Sequence, residues 1–484
     1  MKRLCFVAAA LLMALAADAK LKLAEVFTDC MVLQCDKPLS VWGTATPGAE
    51  VKVKVGRETG KAVAAADGRW SVRLAPLRAS GKAVAFRVSG DGGRIELGDV
   101  LVGEVWLASG QSNMEYSMAN HPRYAKPRKG DPDRLRHEYE QAGNPMIRLL
   151  YVRKDLKSDT LPTAGWQRIS RESLKPFSAA AYFFAKALQD SLGVPVGVVS
   201  SSWGGTPIET WTPAGAYRES PLFGPAMDGN RLKANGQEVG WRYRKMIEPI
   251  APMSMRGVLW YQGETNLIMG DTDIYTEKMS LLVESWRKAW ADSSLPFYYV
   301  QISPMLYSGR KADPVAKTWQ DLPRFWEAQA RCAEEIPLTA MVVTTDIPED
   351  LADIHPPYKW IVGERLARLA LNKTYGRTDV VCGGPVAKSL SVEGDSIVVE
   401  FEGTAGGLAT RDGKAPDWFY ALTKKGRYSR VRASLRGNKV YISTDGLARR
   451  TEIRFGWDET AQPNLVNSEG LPALPFRRKV SLGR

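Results

Sequence analysis

Apolar and polar positions fall into three textures along the chain. From Leu21 to about Leu101, short period-two runs such as Glu50–Val55 and Val84–Val88 are broken by Gly, Pro and Asp. Turn signals at this spacing predict a β-sandwich-like region over residues 20–101. From residue 102 to 375, compact apolar runs (Val194–Ser200, Gly257–Tyr261, Phe297–Gln301, Ala340–Thr344) alternate with longer helical patterns. The clearest helix is Ser178–Gly193: Ser178 can cap its start, Gly193 can end it, and Ala181, Phe184, Ala185 and Leu188 share one face. This alternation predicts an α/β domain, a parallel sheet with helices on both faces. Over residues 376–484 the β texture returns in Ser396–Phe401, Val431–Leu435 and Lys439–Ser443, predicting a C-terminal β domain. The polar stretch 120–143 is expected to run over the central domain without forming an element of its own.

The first 19 residues stand outside this pattern. Lys2 and Arg3 precede the apolar run Leu4–Ala16, and Ala17-Asp18-Ala19 supplies small residues at a cleavage point. That order predicts a signal peptide, too short to span a bilayer, and hence export to the periplasm or beyond the cell. Later apolar runs are all shorter than a span, so no membrane insertion is expected after cleavage. Export permits disulfides among Cys30, Cys35, Cys332 and Cys382; three pairings exist, and four buried thiols are the equal alternative.

Composition narrows the chemistry. The 484 residues are 44% apolar and 25% charged, as in globular proteins. The net charge is +13, but the basic residues are dispersed, which argues against nucleic-acid binding. Only three histidines exist, His121, His137 and His355. A multi-histidine zinc site would consume most of them, so neither a metal nor another cofactor is expected, and a histidine base has three candidates.

Polar residues with chemical potential collect at four strand ends, where ligands bind in open α/β sheets. Val105–Ala108 runs into Ser109-Gly110-Gln111-Ser112-Asn113, presenting Ser112 as a nucleophile or a helix cap. Val198–Ser202 runs into Trp203-Gly204-Gly205, whose backbone N–H groups suit an oxyanion or a tight turn. Gly257–Tyr261 delivers Gln262, a possible oxyanion donor, and Glu264. Asp353-Ile354-His355-Pro356 pairs an acid with a histidine held out of helix by the proline. His121 and His137 lie in the charged 120–143 stretch and read as surface residues.

The blocks GQSNM, SSWGGTPIETW, WYQGETN and DIHP together resemble the sialate O-acetylesterase family of the SGNH hydrolase superfamily. Met31–Gln34 with Asp36-Lys37-Pro38, and Asn464–Asn467 with Glu469–Ala473 through Pro475-Phe476, extend the resemblance to both flanks. It implies an SGNH-hydrolase-like sheet and a serine esterase acting on O-acetylated carbohydrate. Ser112 matches the nucleophile, His355 the base and Asp353 the acid. Asp353 lies two residues before the histidine, where the superfamily usually has three, so a Ser–His pair is the alternative. Ser112, Gly204 or Gly205, and Gln262 match the oxyanion hole, with Glu264, Asn113 and Trp203 as candidate substrate contacts. The sugar is sialic acid or, alternatively, a polysaccharide such as xylan. Two rivals compete: a glycosidase using Glu209 and Glu264, and a non-catalytic carbohydrate binder.

Overall fold

The computed structural model describes residues 20–119, 126–155, 157–158, 160–227 and 233–482, and the statements below concern these. The leader and His121 lie outside them.

The central sheet is built from β1 (Gly93–Gly110), β2 (Ile147–Val152), β3 (Thr163–Arg168), β4 (Val196–Ser202), β5 (Gly257–Tyr261), β6 (Phe297–Val300) and β7 (Thr339–Val342). Their order is β3-β2-β4-β1-β5-β6-β7, parallel except for β3. Apolar residues fill both faces because strands wrapped in helices must hide both. Trp106, Val198, Leu259 and Tyr298 face one cluster, while Leu107, Val199, Val258 and Phe297 face the other. The first cluster is closed by α2 (Ala179–Leu192) and α6 (Lys359–Leu369), the second by α4 (Tyr275–Trp290) and α5 (Asp321–Glu335). The cap of α2 follows the sequence: Ser178 Oγ accepts the Ala181 N–H at 3.2 Å, and Gly193 takes a left-handed φ of 67°. After β1 the chain fills one side with β2 to β4, then crosses to β5. The ends of β1, β4 and β5 therefore surround the crevice where the strand order reverses.

β1 runs unbroken across residues 101 and 102, where the textures change. Its first half pairs antiparallel with Ser80–Gly90 and parallel with Val32–Gln34; its second half lies between β4 and β5. The C-terminal region holds two four-stranded antiparallel sheets around Val399, Val440, Phe419, Phe455 and Phe476.

Two expectations meet a clear outcome. The 120–143 stretch does form an element, a helix over Arg134–Glu140, because Leu135 and Tyr139, four apart, bury one face beneath a charged surface. The four cysteines are thiols; Cys35 donates to Glu104 at 3.1 Å and Cys332 lies in the core. No described helix is long and apolar enough to cross a membrane.

Candidate active site

Four loops meet above β1. Gly110 ends the strand at φ 135°, and a Cβ there would lie 2.2 Å from the Tyr261 carbonyl oxygen. Only glycine permits that approach of β1 to β5. Gln111 then fastens the two ends: its N–H donates to the Tyr261 carbonyl at 2.9 Å, and its Oε1 accepts the Thr265 N–H at 3.3 Å. Ser112 opens the short helix α1 (Ser112–Glu115), so it is not the cap; Gln111 holds that position.

The Ser112 hydroxyl is 3.0 Å from His355 Nε2. On the other side of the ring, Asp353 Oδ1 lies 3.1 Å from Nδ1 and also accepts the His355 backbone N–H at 2.9 Å. A carboxylate at Nδ1 fixes the proton there and leaves Nε2 as an acceptor facing the serine. The two-residue spacing thus reaches the imidazole, because one oxygen serves both ring and backbone. His137, by contrast, is an exposed residue whose Nδ1 lies 2.7 Å from Asp131.

Gly204 and Gly205 separate cleanly. A Cβ on Gly204 would lie 3.1 Å from Ser112 Cβ, whereas one on Gly205 meets nothing within 4 Å. The glycine beside the serine is Gly204. Its N–H donates to Glu115 Oε2 at 2.5 Å, and Glu115 also pairs with Lys154. Trp203 is half-buried and donates its N–H to the Gly110 carbonyl at 3.0 Å.

Three expected site residues are buried. Gln262 is fully buried; its amide donates to Asn266 Oδ1 at 2.6 Å and to the Thr206 carbonyl at 3.3 Å, leaving no donor for an oxyanion. Asn113 and Glu264 sit beneath Ser112 and are closed to a substrate. Asn113 Nδ2 donates to Glu264 Oε1 at 2.6 Å and to the Ile354 carbonyl at 3.0 Å, while its Oδ1 accepts from Lys359 at 2.6 Å. This bridge joins the neighbour of Ser112 to the neighbour of His355. Burial pushes the Glu264 carboxyl up and drives the Lys359 ammonium down to about 7, against the pull of Glu264 and Asp353. Glu209 is no partner for Glu264, since Lys278 holds it at 2.6 Å in a separate buried cluster with Asp271 and Asn266.

Sequence reading missed Glu115, Lys154 and Lys359. Glu115 carries a signal, being three residues after Ser112 on one helical turn. Lys359 carries one only once α6 is known to begin there.

Comparison with known proteins gives the family. The family model for carbohydrate esterases described as sialic acid-specific acetylesterases matches residues 102–372. Sialate O-acetylesterase from Homo sapiens is 29% identical over 407 residues, covering 77% of this chain and 74% of the human one. The Mus musculus protein of the same name is 27% identical over 423 residues, covering 77% and 76%. The crystal structure of a carbohydrate acetylesterase from Xanthomonas citri superposes with a TM-score of 0.81 at 32% identity, covering 94% of this chain and 99% of that one. The chain belongs to the sialic acid-specific acetylesterase family of carbohydrate esterases, and is a carboxylic-ester hydrolase.

Proposed function

We propose that this protein removes O-acetyl groups from sialic acid-type sugars by an acyl-enzyme route through Ser112, His355 and Asp353. The observation that carries the reading is the 3.0 Å contact between Ser112 Oγ and His355 Nε2, with Asp353 at the opposite nitrogen. Ser112 Oγ attacks the acetyl carbonyl carbon as Nε2 takes its proton, and the carbonyl electron pair moves onto oxygen. The backbone N–H groups of Ser112 and Gly204 receive that oxyanion, which replaces the Glu115 carboxylate on Gly204. The intermediate collapses, the C–O bond to the sugar breaks, and Nε2 returns the proton to the sugar oxygen. Water then loses a proton to Nε2 and attacks the acetyl-enzyme. Collapse of the second intermediate releases acetate, and Ser112 Oγ regains the proton. Asp353 stabilises the imidazolium in both halves.

Residues 1–19 are proposed to direct export, so the mature chain begins at Lys20. Residues 20–101 and 376–484 are proposed to be β domains flanking a catalytic domain at 102–375. Acetate release from O-acetylated sialic acid and from acetylated xylo-oligosaccharides tests the substrate: faster release from the sialic acid is expected, and the reverse order would reassign the sugar. A serine-directed organophosphonate should label Ser112; an unlabelled, fully active enzyme would refute the acyl-enzyme.

A further inference from the structure

Beside Gly204 stands a wall of aromatic and cationic side chains. Trp203 and Trp241 meet edge-on with ring centres 6.0 Å apart. The Arg242 guanidinium carbon lies 4.9 Å from the Trp203 ring centre and 4.8 Å from that of Trp241. Lys154 Nζ is 5.7 Å from the Trp203 ring, but its charge is already answered by Glu115.

Among the described residues, no carboxylate answers Arg242 in this way. The arginine is half-buried, and its Nε is buried with no acceptor among the described residues. Burial lowers its affinity for a proton, and no carboxylate among the described residues opposes the effect. Four other buried or half-buried arginines hold an acid, Arg148 with Asp99, Arg256 with Glu104, Arg365 with Asp346 and Arg454 with Glu452, while Arg287 is held by the Leu295 and Pro337 carbonyls. A half-buried cation without an anion destabilises a fold, and two indole faces compensate only part of that cost. At the edge of a reaction crevice, the missing anion is one that a ligand brings.

We propose that Arg242, seated against Trp203 and Trp241, receives the carboxylate of an acidic O-acetylated sugar and so selects anionic over neutral substrates. This rests on the Ser112 site proposed above. A guanidinium suits the task because its fork of N–H groups matches both carboxylate oxygens and its plane stacks on indole. A neutral xylan chain offers it nothing.

The test is binding, kept apart from turnover. In the Ser112→Ala chain, the affinities of N-acetylneuraminic acid and of its methyl ester are measured by titration calorimetry. The ester lacks the negative charge and adds one methyl group. The acid should bind at least about tenfold more tightly than the ester, as for a hydrogen-bonded ion pair. Adding Arg242→Gln should erase the preference, and Arg242→Lys should restore part of it. Equal binding of acid and ester, binding of neither, or a preference that survives Arg242→Gln would overturn the proposal. Turnover of p-nitrophenyl acetate by the unsubstituted chain reports separately on the esterase reading, whose failure is therefore distinguishable.

Discussion

Single atoms decide the site. Asp353 Oδ1 accepts both the His355 ring and its backbone N–H. Asp353→Asn can keep the backbone contact, but its amide then presents N–H towards Nδ1 and imposes the wrong tautomer. Turnover should fall by about 10,000-fold with the fold intact, read as kcat on a chromogenic acetate and checked by circular dichroism. The two loop glycines divide differently. In Gly204→Ala the new methyl group crowds Ser112 Cβ at 3.1 Å and Glu115 at 3.2 Å, so kcat should drop, by up to about 100-fold. Gly205→Ala meets no neighbour but forces alanine to φ 70°, so it should cost about 1 kcal/mol of stability and little activity. Steady-state kinetics and urea unfolding of the two variants separate these outcomes.

At the scale of elements, the site depends on three strand ends and one helix start held in register. Gly110 and Gln111 lock β1 to β5, and the Lys359–Asn113–Glu264 bridge ties α6, α1 and α3 (Glu264–Met269) together beneath the serine. Lys359 gives this bridge a pH signature. Its folded value is about 7 and its ordinary value 10.5, so between them the unfolded chain binds more protons than the folded one. Stability from this group therefore rises with pH across that window, and the full penalty is present below it. In Lys359→Met the rise should vanish: the stability gap between wild type and variant should widen in favour of wild type from pH 7 to 10. Urea midpoints across that range check it. The strands and α2 were legible in the sequence because their periodicity and caps agree with the tertiary fold. The Arg134–Glu140 helix was not, since only Leu135 and Tyr139 are apolar there, too few to set a period. Nor were the buried roles of Gln262, Asn113 and Glu264. Polar side chains at strand ends look alike in sequence whether they face the crevice or turn beneath it, and only their hydrogen-bond partners separate the two.

Across the whole molecule, the motifs outside the site are clamps between regions. Gln34 Oε1 accepts the Val105 N–H at 2.9 Å and its amide donates to Glu104 at 3.0 Å; Lys37 reaches Asp292 at 2.7 Å. Glu104, buried under the junction, would be raised by burial, but Arg256, Gln34 and Cys35 together hold it low. Arg256→Met leaves that carboxylate without its ion pair and should cost about 3–5 kcal/mol, seen as a lowered urea midpoint. Because β1 is shared, the N-terminal strands and the central sheet should unfold in one transition. At the other end, Asn467 donates to the Gly383 and Gly403 carbonyls and accepts from the Glu469 and Leu471 N–H groups. Glu459 accepts the Ser308 N–H at 2.8 Å, and Arg477 meets Glu327 through two contacts at 3.0 Å, docking the C-terminal sheets on the central α/β region. The flanking resemblance in the sequence therefore has a physical content, the side chains that hold three regions in one arrangement.

In the proposed reaction Ser112 carries the acetyl group. Wild type and Ser112→Ala are compared for acetate released from O-acetylated sialic acid at equal folded concentration. Wild type should release acetate steadily, and Ser112→Ala should fall by about a million-fold, to the level of the assay blank. Acetate release by a folded Ser112→Ala chain at anything near the wild-type rate would contradict the account.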